Sequence, residues 1–288
     1  MTEDVLPLEQ DPEIRELIAR ALAEDVGSGD ATTLALVDEK AVAAARIVAR
    51  HAVVVAGMGV AAEVFRQADA ALKTEILCPD GTEAGPGMAL LRVSGPARAL
   101  LTAERPALNF AQRLTGIATA TECLVRITAD YGTLILDTRK TVPGLRRLDK
   151  YAVQCGGGTN HRVGLHDAIL IKDNHLAFWK QRHKGTLADA VRAARQAYPG
   201  LKLEIEVDSL EQLQEALPGR PDWVLLDNMT PQMTAAAVIL CNGACKTEAS
   251  GGITKENVRE YARAGVTAIS IGALTHSPRA ADLSLEFD

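Results

Sequence analysis

The sequence predicts an α/β protein whose second half is built on parallel strands. Short strand-like runs recur at 134–138, 168–173, 203–208, 223–227, 246–250 and 268–272. Amphipathic segments lie between them, at 187–197, 210–217, 231–240 and 255–264. The runs are near-continuous rather than alternating (Ile169-Leu170-Ile171, Val224-Leu225-Leu226), as for strands covered on both faces. Strict strand–helix alternation implies parallel strands joined by right-handed crossovers. Six units suffice for a sheet that closes or nearly closes, short of a full eight-stranded barrel.

The first half is less regular. Asp11-Pro12 opens a helix, with Asp as cap and Pro at the first helical position, and Ile14, Leu17, Ile18, Ala21 and Leu22 give it one apolar face. Strand-like pieces follow at 43–49, 52–55, 72–78 and 88–93, separated by Pro and Gly clusters at 79–87 and at Gly95-Pro96. A long helical stretch covers 98–128, which Pro106 is expected to divide because proline disfavours helix at the residue before it.

Composition narrows the function. The 288 residues carry a net charge of −6, 47% hydrophobic and only 3% aromatic residues. With a pI of about 5.6 and no basic helix interleaved with aromatics, nucleic acid is not the expected partner. The N-terminus is not that of a signal peptide, and the longest apolar run, near 52–62, is too short to span a bilayer. Five scattered cysteines point to reduced thiols and a cytoplasmic protein.

Against that acidic background residues 137–175 form a basic island. It holds Arg139, Lys140, Arg146, Arg147, Lys150, Arg162 and Lys172, three of the six histidines and only four Asp. Polar residues sit where the predicted strands end, two of these endings within the island: Asp137-Thr138-Arg139-Lys140, Lys172-Asp173-Asn174-His175, Glu206-Val207-Asp208, Asp227-Asn228, Ser250-Gly251-Gly252 and Ser270-Ile271-Gly272. In a barrel such endings converge on one mouth. Arg139, Lys140, Arg162 and Lys172, with His161 beside Arg162, are therefore expected to form a cationic pocket for a small dianion. Arginine grips carboxylate in bidentate fashion and lysine adds a mobile charge. The plainer reading, surface ion pairs worth roughly 0–1 kcal/mol each, fits any one of these residues but not the set. Glu206 and Asp227 end consecutive strands and suit Mg²⁺ or ribose hydroxyls; as lone acids they would be ordinary helix caps. The two glycine-bearing endings let backbone N–H groups approach a phosphate at the start of a helix.

Other motifs carry less. Gly57-x-Gly59-x-x-Ala62 follows an apolar run like a dinucleotide fingerprint, but stands without βαβ units around it. Cys241-x3-Cys245 has no second pair nearby for zinc, and Cys155 beside three glycines has no evident base. His51, His183 and His276 show no metal-ligand spacing, and His161-x4-His166 crosses a loop.

Several stretches together resemble the quinolinate phosphoribosyltransferase (nicotinate-nucleotide pyrophosphorylase, carboxylating) family. They are Ala103-Glu104-Arg105-Pro106-Ala107-Leu108-Asn109-Phe110, Gly116-Ile117-Ala118-Thr119, Asp137-Thr138-Arg139-Lys140-Thr141-x-Pro143-Gly144-Leu145-Arg146 and Lys150-Tyr151-Ala152-Val153. The match continues through residues 156–160, His161-Arg162, Ile171-Lys172-Asp173-Asn174-His175, residues 204–208, Leu225-Leu226-Asp227-Asn228, Ser250-Gly251-Gly252-Ile253 and Gly272-Ala273-Leu274-Thr275-His276. It spans nearly the whole chain, and the Asp-Thr-Arg-Lys and Lys-Asp-Asn-His elements are highly specific. Pro106 and His166 depart from the residues more often found at those places, and neither removes a residue assigned to chemistry.

The resemblance implies an N-terminal α/β sandwich over 1–107, joined by the tail 276–288, and an incomplete α/β barrel of six to seven parallel strands over 108–275. It implies an enzyme of de novo NAD biosynthesis converting quinolinate and 5-phosphoribosyl 1-pyrophosphate to nicotinate mononucleotide, pyrophosphate and CO₂. It further implies a homodimer with a shared site, in which Arg105 of one subunit joins Thr138, Arg139, His161, Arg162 and Lys172 around quinolinate. Lys140, Glu206, Asp227, Ser250, Gly251, Gly252, Ser270, Ile271 and Gly272 would hold the phosphoribosyl substrate with Mg²⁺, and Lys140, Lys172, Glu206 and Asp227 would serve catalysis. The rival expectations are a family member acting on another carboxylated ring and a non-catalytic phosphosugar-binding module.

Overall fold

A computed structural model describes residues 7–288. The chain divides into two compact units: one comprises the chain up to Ala120, Leu148–Gly157 and Pro278–Asp288, the other Thr121–Arg147 and Gly158–Ser277.

In the first unit, helix α1 (Pro12–Val26) starts as its sequence dictates. The Asp11 carboxylate accepts the Glu13 N–H at 2.8 Å, and Ile14, Ile18 and Leu22 form the buried stripe. A short helix α2 (Ala31–Leu36) follows. The antiparallel sheet centres on β1 (Val42–Ala49) and β5 (Ala89–Pro96), with β3 (Lys73–Ile76) on the far side of β5 and the tail strand β12 (Leu283–Phe287) on the far side of β1. Helix α3 (Met58–Ala68) packs against α1, β3 and β5, giving the two layers of a sandwich. The spacer read at 79–87 contains a strand, β4 (Glu83–Ala84), which pairs with β2 (Val53–Val54). Two residues are too few to leave a periodic signal.

Helix α4 runs unbroken from Ala97 to Thr128 with Pro106 inside it, so the expected division does not occur. Interior proline costs about 3 kcal/mol. Ala103, Ala107, Leu108, Ala111 and Leu114 are all buried on either side of it, and that apolar stripe outweighs the cost. A helix missed in the sequence, α5 (Arg146–Cys155), lies inside the basic island. Its Asp149 is fully buried and takes both Arg113 Nε (2.9 Å) and Nη2 (2.8 Å).

The second unit is a six-stranded parallel sheet. Its order is β6 (Leu134–Leu136), β11 (Ala268–Ser270), β10 (Lys246–Ser250), β9 (Trp223–Asp227), β8 (Lys202–Val207), β7 (Ala168–Ile171). Strands β6 and β7 are its two edges and do not pair, so the barrel is incomplete. Part of that seam is filled by an extended segment at Thr159, whose N–H donates to the Ile135 carbonyl (2.8 Å) and whose carbonyl accepts from Asp137 N–H (3.3 Å). Helices α7 (Leu187–Ala197) and α8 (Leu210–Ala216) cover β8, and α9 (Pro231–Cys241) and α10 (Val258–Arg263) follow β9 and β10. The Lys172–His175 ending is not loop: α6 (Asp173–Arg182) begins at once, with Lys172 as its cap.

Strand parity positions the site. On β8, Leu203, Ile205 and Val207 are buried under the covering helices, which leaves Glu204 and Glu206 on the opposite, inner face. On β10 the same parity pairs Glu248 with Ser250.

Candidate active site

The cationic residues of the second unit are gathered in part. Arg162 lies close enough to Arg139 for its pKa to be lowered, first by burial and then by that neighbour's charge. Its Nη1 donates to the Ala168 carbonyl at 3.0 Å. Arg139 Nε is buried with no hydrogen-bond partner. Two guanidinium groups side by side, one with an unpartnered buried N–H, are costly unless an anion joins them. Arg146 fixes this arrangement from behind: its guanidinium donates to the Val163 carbonyl (3.0 Å), Thr141 Oγ1 (3.2 Å) and the Arg139 carbonyl (3.4 Å). That residue is a brace, not a ligand, and sequence reasoning had counted it only as charge.

Lys172 Nζ is 2.6 Å from Glu206 Oε2, so a residue expected at the dianion already holds one expected at ribose and metal. Lys140 is exposed, and its stem lies over Gly272, where a Cβ would stand 3.0 Å from Lys140 Cδ. Thr275 Oγ1 holds the Lys140 carbonyl at 2.9 Å, and Thr138 Oγ1 accepts the Lys140 N–H at 3.0 Å.

His161 does not add a third positive charge to the arginines. Its Nδ1 accepts the Arg162 N–H at 2.7 Å, so that nitrogen carries no proton. The ring is therefore neutral with its hydrogen on Nε2, which donates to Glu204 Oε2 at 3.0 Å and stands 3.5 Å from Glu248 Oε2. Asp137, fully buried, accepts the His161 N–H at 2.9 Å. Burial, foremost, raises the Glu204 carboxyl to about 7 and the Glu248 carboxyl to about 8, with mutual charge repulsion adding to the latter. Each keeps one buried oxygen without a partner. His161, Glu204 and Glu248 offer three donor atoms within 4.8 Å of one another, the shape of a metal set. The hydrogen on Nε2 leaves no lone pair there for a metal, so the cluster is hydrogen-bonded instead. Glu204 and Glu248 escaped the sequence reading because only strand ends were searched; acids at alternate positions inside apolar strands were the available signal.

The glycine-bearing endings differ from expectation. Gly251 and Gly252 have φ of 97° and 61°, and a Cβ on Gly251 would lie 2.2 Å from Asn228 Oδ1, so only glycine fits. The helix after them begins only at Val258, which leaves loop amides rather than a helix terminus at this point. Ser270 is buried and bonded to Glu248, while Ile271 is buried with its N–H spent on the Leu136 carbonyl (3.0 Å). Both are buried, and Gly272 is what remains of that triplet at the rim.

Two cavities divide the site. One of about 470 Å³ is lined by Thr159, Asn160, His161, Arg162, Glu204 and Glu248 and reaches the strand beginnings at Lys202 and Trp223 along the open seam. The other, about 300 Å³, lies at the strand ends among Asp173, Glu206, Asp208 and Asp227. The expectation of one mouth is thus too simple. Carboxylates surrounding the smaller cavity are the hard oxygen donors that Mg²⁺ prefers. Asp227 is half-buried, with Oδ2 accepting from Asn228 Nδ2 at 2.7 Å.

Arg105 is exposed on α4 and His166 is exposed in its loop. The dinucleotide-like glycines are filled from within: Asp80 takes the N–H groups of Gly57 (2.8 Å) and Met58 (3.1 Å) and the Tyr151 hydroxyl (2.8 Å). Cys155 is pushed up to about 11 by burial and by Asp80, no state for a nucleophile.

An incomplete parallel barrel with neighbouring arginines, one of them with an unpartnered buried N–H, and acid-rimmed strand ends defines an anion-handling α/β-barrel enzyme. The comparisons name the class more closely. Residues 30–115 match the N-terminal domain and residues 117–286 the C-terminal domain of quinolinate phosphoribosyl transferase. The chain is 44% identical over 278 residues to the nicotinate-nucleotide pyrophosphorylase [carboxylating] of Mycobacterium leprae, covering 94% of this chain and 96% of the relative. It is 40% identical over 275 residues to a probable enzyme of the same name from Bacillus subtilis, covering 95% and 93%. The solved nicotinate-nucleotide pyrophosphorylase of Francisella tularensis superposes with a TM-score of 0.90 at 36% identity, covering 99% of this chain and 100% of that one. The chain belongs to the quinolinate phosphoribosyltransferase family.

Proposed function

We propose that the chain is a carboxylating nicotinate-nucleotide pyrophosphorylase. It joins quinolinate to 5-phosphoribosyl 1-pyrophosphate and releases nicotinate mononucleotide, pyrophosphate and CO₂ in NAD biosynthesis. The observation that carries this reading is the Arg139–Arg162 pair, whose buried unpartnered Nε calls for an anion of more than one charge. At about 4 Å and an effective dielectric of 20, each cation–carboxylate contact is worth on the order of 4 kcal/mol. Two such contacts hold a dianion against the net charge of −6.

Thr138, Arg139, Arg162 and Lys172 bind and orient the two carboxylates, with His161 setting the place of Arg162. The pyridine nitrogen is a weak nucleophile, so rate comes from holding it in line with the ribose C1. Lys140, the loop amides of Gly251 and Gly252, and Gly272 receive the phosphates. Glu206 and Asp227 orient the ribose and steady the positive charge that grows on it. Glu206 and Asp227 would hold Mg²⁺, directly or through water or substrate, and the ion would supply charge neutralisation for the departing pyrophosphate. Once the nitrogen is alkylated, the cationic ring accepts the electron pair left when the 2-carboxylate departs as CO₂, and a proton then replaces it.

We assign the working form as a cytoplasmic homodimer in which Arg105 completes the pocket of the partner. Among the described residues no helix is long and apolar enough to cross a membrane. Incubation with quinolinate, phosphoribosyl pyrophosphate and Mg²⁺ should yield nicotinate mononucleotide and one CO₂ per turnover. Failure of a folded dimer to do so, or turnover only of another carboxylated ring, would overturn the assignment.

A further inference from the structure

We infer that Glu204 and Glu248 are positioning residues for the carboxylate pocket: through His161 they fix where the Arg162 guanidinium stands. The inference rests on the quinolinate reading above and deepens it. Four contacts carry it. Glu204 receives the His161 Nε2 hydrogen at 3.0 Å, and Glu248, at 3.5 Å, closes the ring's other approach. The opposite ring nitrogen accepts the Arg162 N–H at 2.7 Å, a contact that a doubly protonated ring would forbid. The Asp137 carboxylate holds the His161 N–H at 2.9 Å. The tautomer is thus set from one side and read from the other, with Arg162 as reader.

Chain geometry makes the coupling direct. His161 and Arg162 are consecutive and lie in an irregular seam, where no regular ladder fixes the Arg162 amide. The His161 ring supplies that amide's acceptor. A rotated or re-tautomerised ring would present an N–H to the Arg162 N–H, and the backbone would have to turn. Arg162 Nη1 is anchored on the Ala168 carbonyl (3.0 Å), so such a turn would separate it from its Arg139 neighbour or break that anchor. Glu204 and Glu248 touch the ring and line the cavity that holds His161 and Arg162, not the one at the strand ends. Their effect should therefore fall on quinolinate affinity and leave the phosphoribosyl substrate untouched.

The test uses the full-length protein with Glu204→Leu, which removes the acceptor at similar bulk, and Glu204→Gln, which keeps a carbonyl oxygen there. Titration calorimetry should show quinolinate affinity lowered by about tenfold or more in Glu204→Leu and largely restored in Glu204→Gln, as for other residues that orient a ligand-binding histidine. KM for phosphoribosyl pyrophosphate should not move. Nitrogen-15 spectra of wild-type protein labelled at histidine should show one ring protonated on Nε2 alone, coupled to the Glu204 side. Unchanged quinolinate affinity in folded Glu204→Leu, or an imidazolium signature for His161, would overturn the inference. Should the Leu variant fail to fold, the wild-type spectrum decides. A wild type that shows this tautomer yet ignores quinolinate would defeat the proposed function and leave the positioning geometry intact.

Discussion

Replacing Glu248 with Gln should make the protein's stability less dependent on pH. Glu248 is 1% exposed, and its carboxyl is raised from an ordinary 4.5 to about 8. Because the folded value lies above the unfolded one, the folded protein holds this proton more tightly. The stabilisation is whole below about 4.5 and is lost as pH climbs through about 8. At 1.36 kcal/mol per decade the ceiling is roughly 5 kcal/mol. Glu204, raised to about 7 chiefly by burial, is hydrogen-bonded to Glu248 and its charge acts on it, so the pair titrates jointly and the loss assignable to Glu248 is nearer about 2–3 kcal/mol. Gln copies the protonated form and removes the titration. Urea unfolding from pH 5 to 9 should therefore show the wild type losing about 2–3 kcal/mol more than Glu248→Gln, with equal denaturant slopes. Titrating groups outside this cluster are common to both proteins and cancel; the relief of Glu204 from its charged neighbour is part of the difference measured. Superimposable pH curves, or a variant that loses stability faster as pH rises, would refute the reasoning.

Four further outcomes follow from the geometry. Arg162→Ala should weaken quinolinate binding by about 2–5 kcal/mol, because the dianion loses a desolvated partner; calorimetry checks it, and an unchanged affinity contradicts it. Mixing inactive Arg105→Ala with inactive Lys172→Ala subunits should restore partial activity, and none from a verified mixed dimer would count against the shared site. Gly251→Ala forces a side chain onto Asn228 at positive φ and should raise KM for phosphoribosyl pyrophosphate with quinolinate affinity unchanged, which initial-rate kinetics would show. Asp149→Ala strips the bidentate partner from Arg113 and should cost about 3–5 kcal/mol of unfolding free energy, readable from a shifted urea midpoint.

What the sequence made legible followed from local rules. Strand β9 falls on the apolar run read for it, because burial on both faces of a parallel sheet leaves a near-continuous apolar signature, and α7 falls on its amphipathic segment. The Asp11 cap is equally local. Pro106 misled because the force that carries α4 through it is a buried stripe spread along the whole helix. The glycines at 57 and 59 look alike with or without a nucleotide; what settles the role of this turn is Asp80, 23 residues from Gly57, seated on the Gly57 and Met58 amides. The arginines and the lysines were visible as charge, yet charge alone did not separate Arg146, a brace on three acceptors, from Arg139, which lacks one at Nε.

The acids beneath the arginines show why the missed residues matter to the whole site. A pocket built to take a dianion must hold its own cations apart from competing carboxylates. Lys172 is already paired with Glu206, and a fully ionised Glu204 near Arg162 would offer that guanidinium an internal partner. Burial prevents it. With its carboxyl raised to about 8, Glu248 keeps its proton at neutral pH, while Glu204, raised to about 7, is only partly ionised there; both act toward His161 as hydrogen-bonding groups more than as counter-ions. The arginines then keep an unanswered field that a substrate dianion can satisfy, while the hydrogen-bonding capacity of the same acids holds the loop that carries one of them. Glu→Asp changes at these positions would shorten the reach to His161, whereas Glu→Gln would keep it. The site therefore needs an oxygen at 204 and 248 more than it needs a charge there.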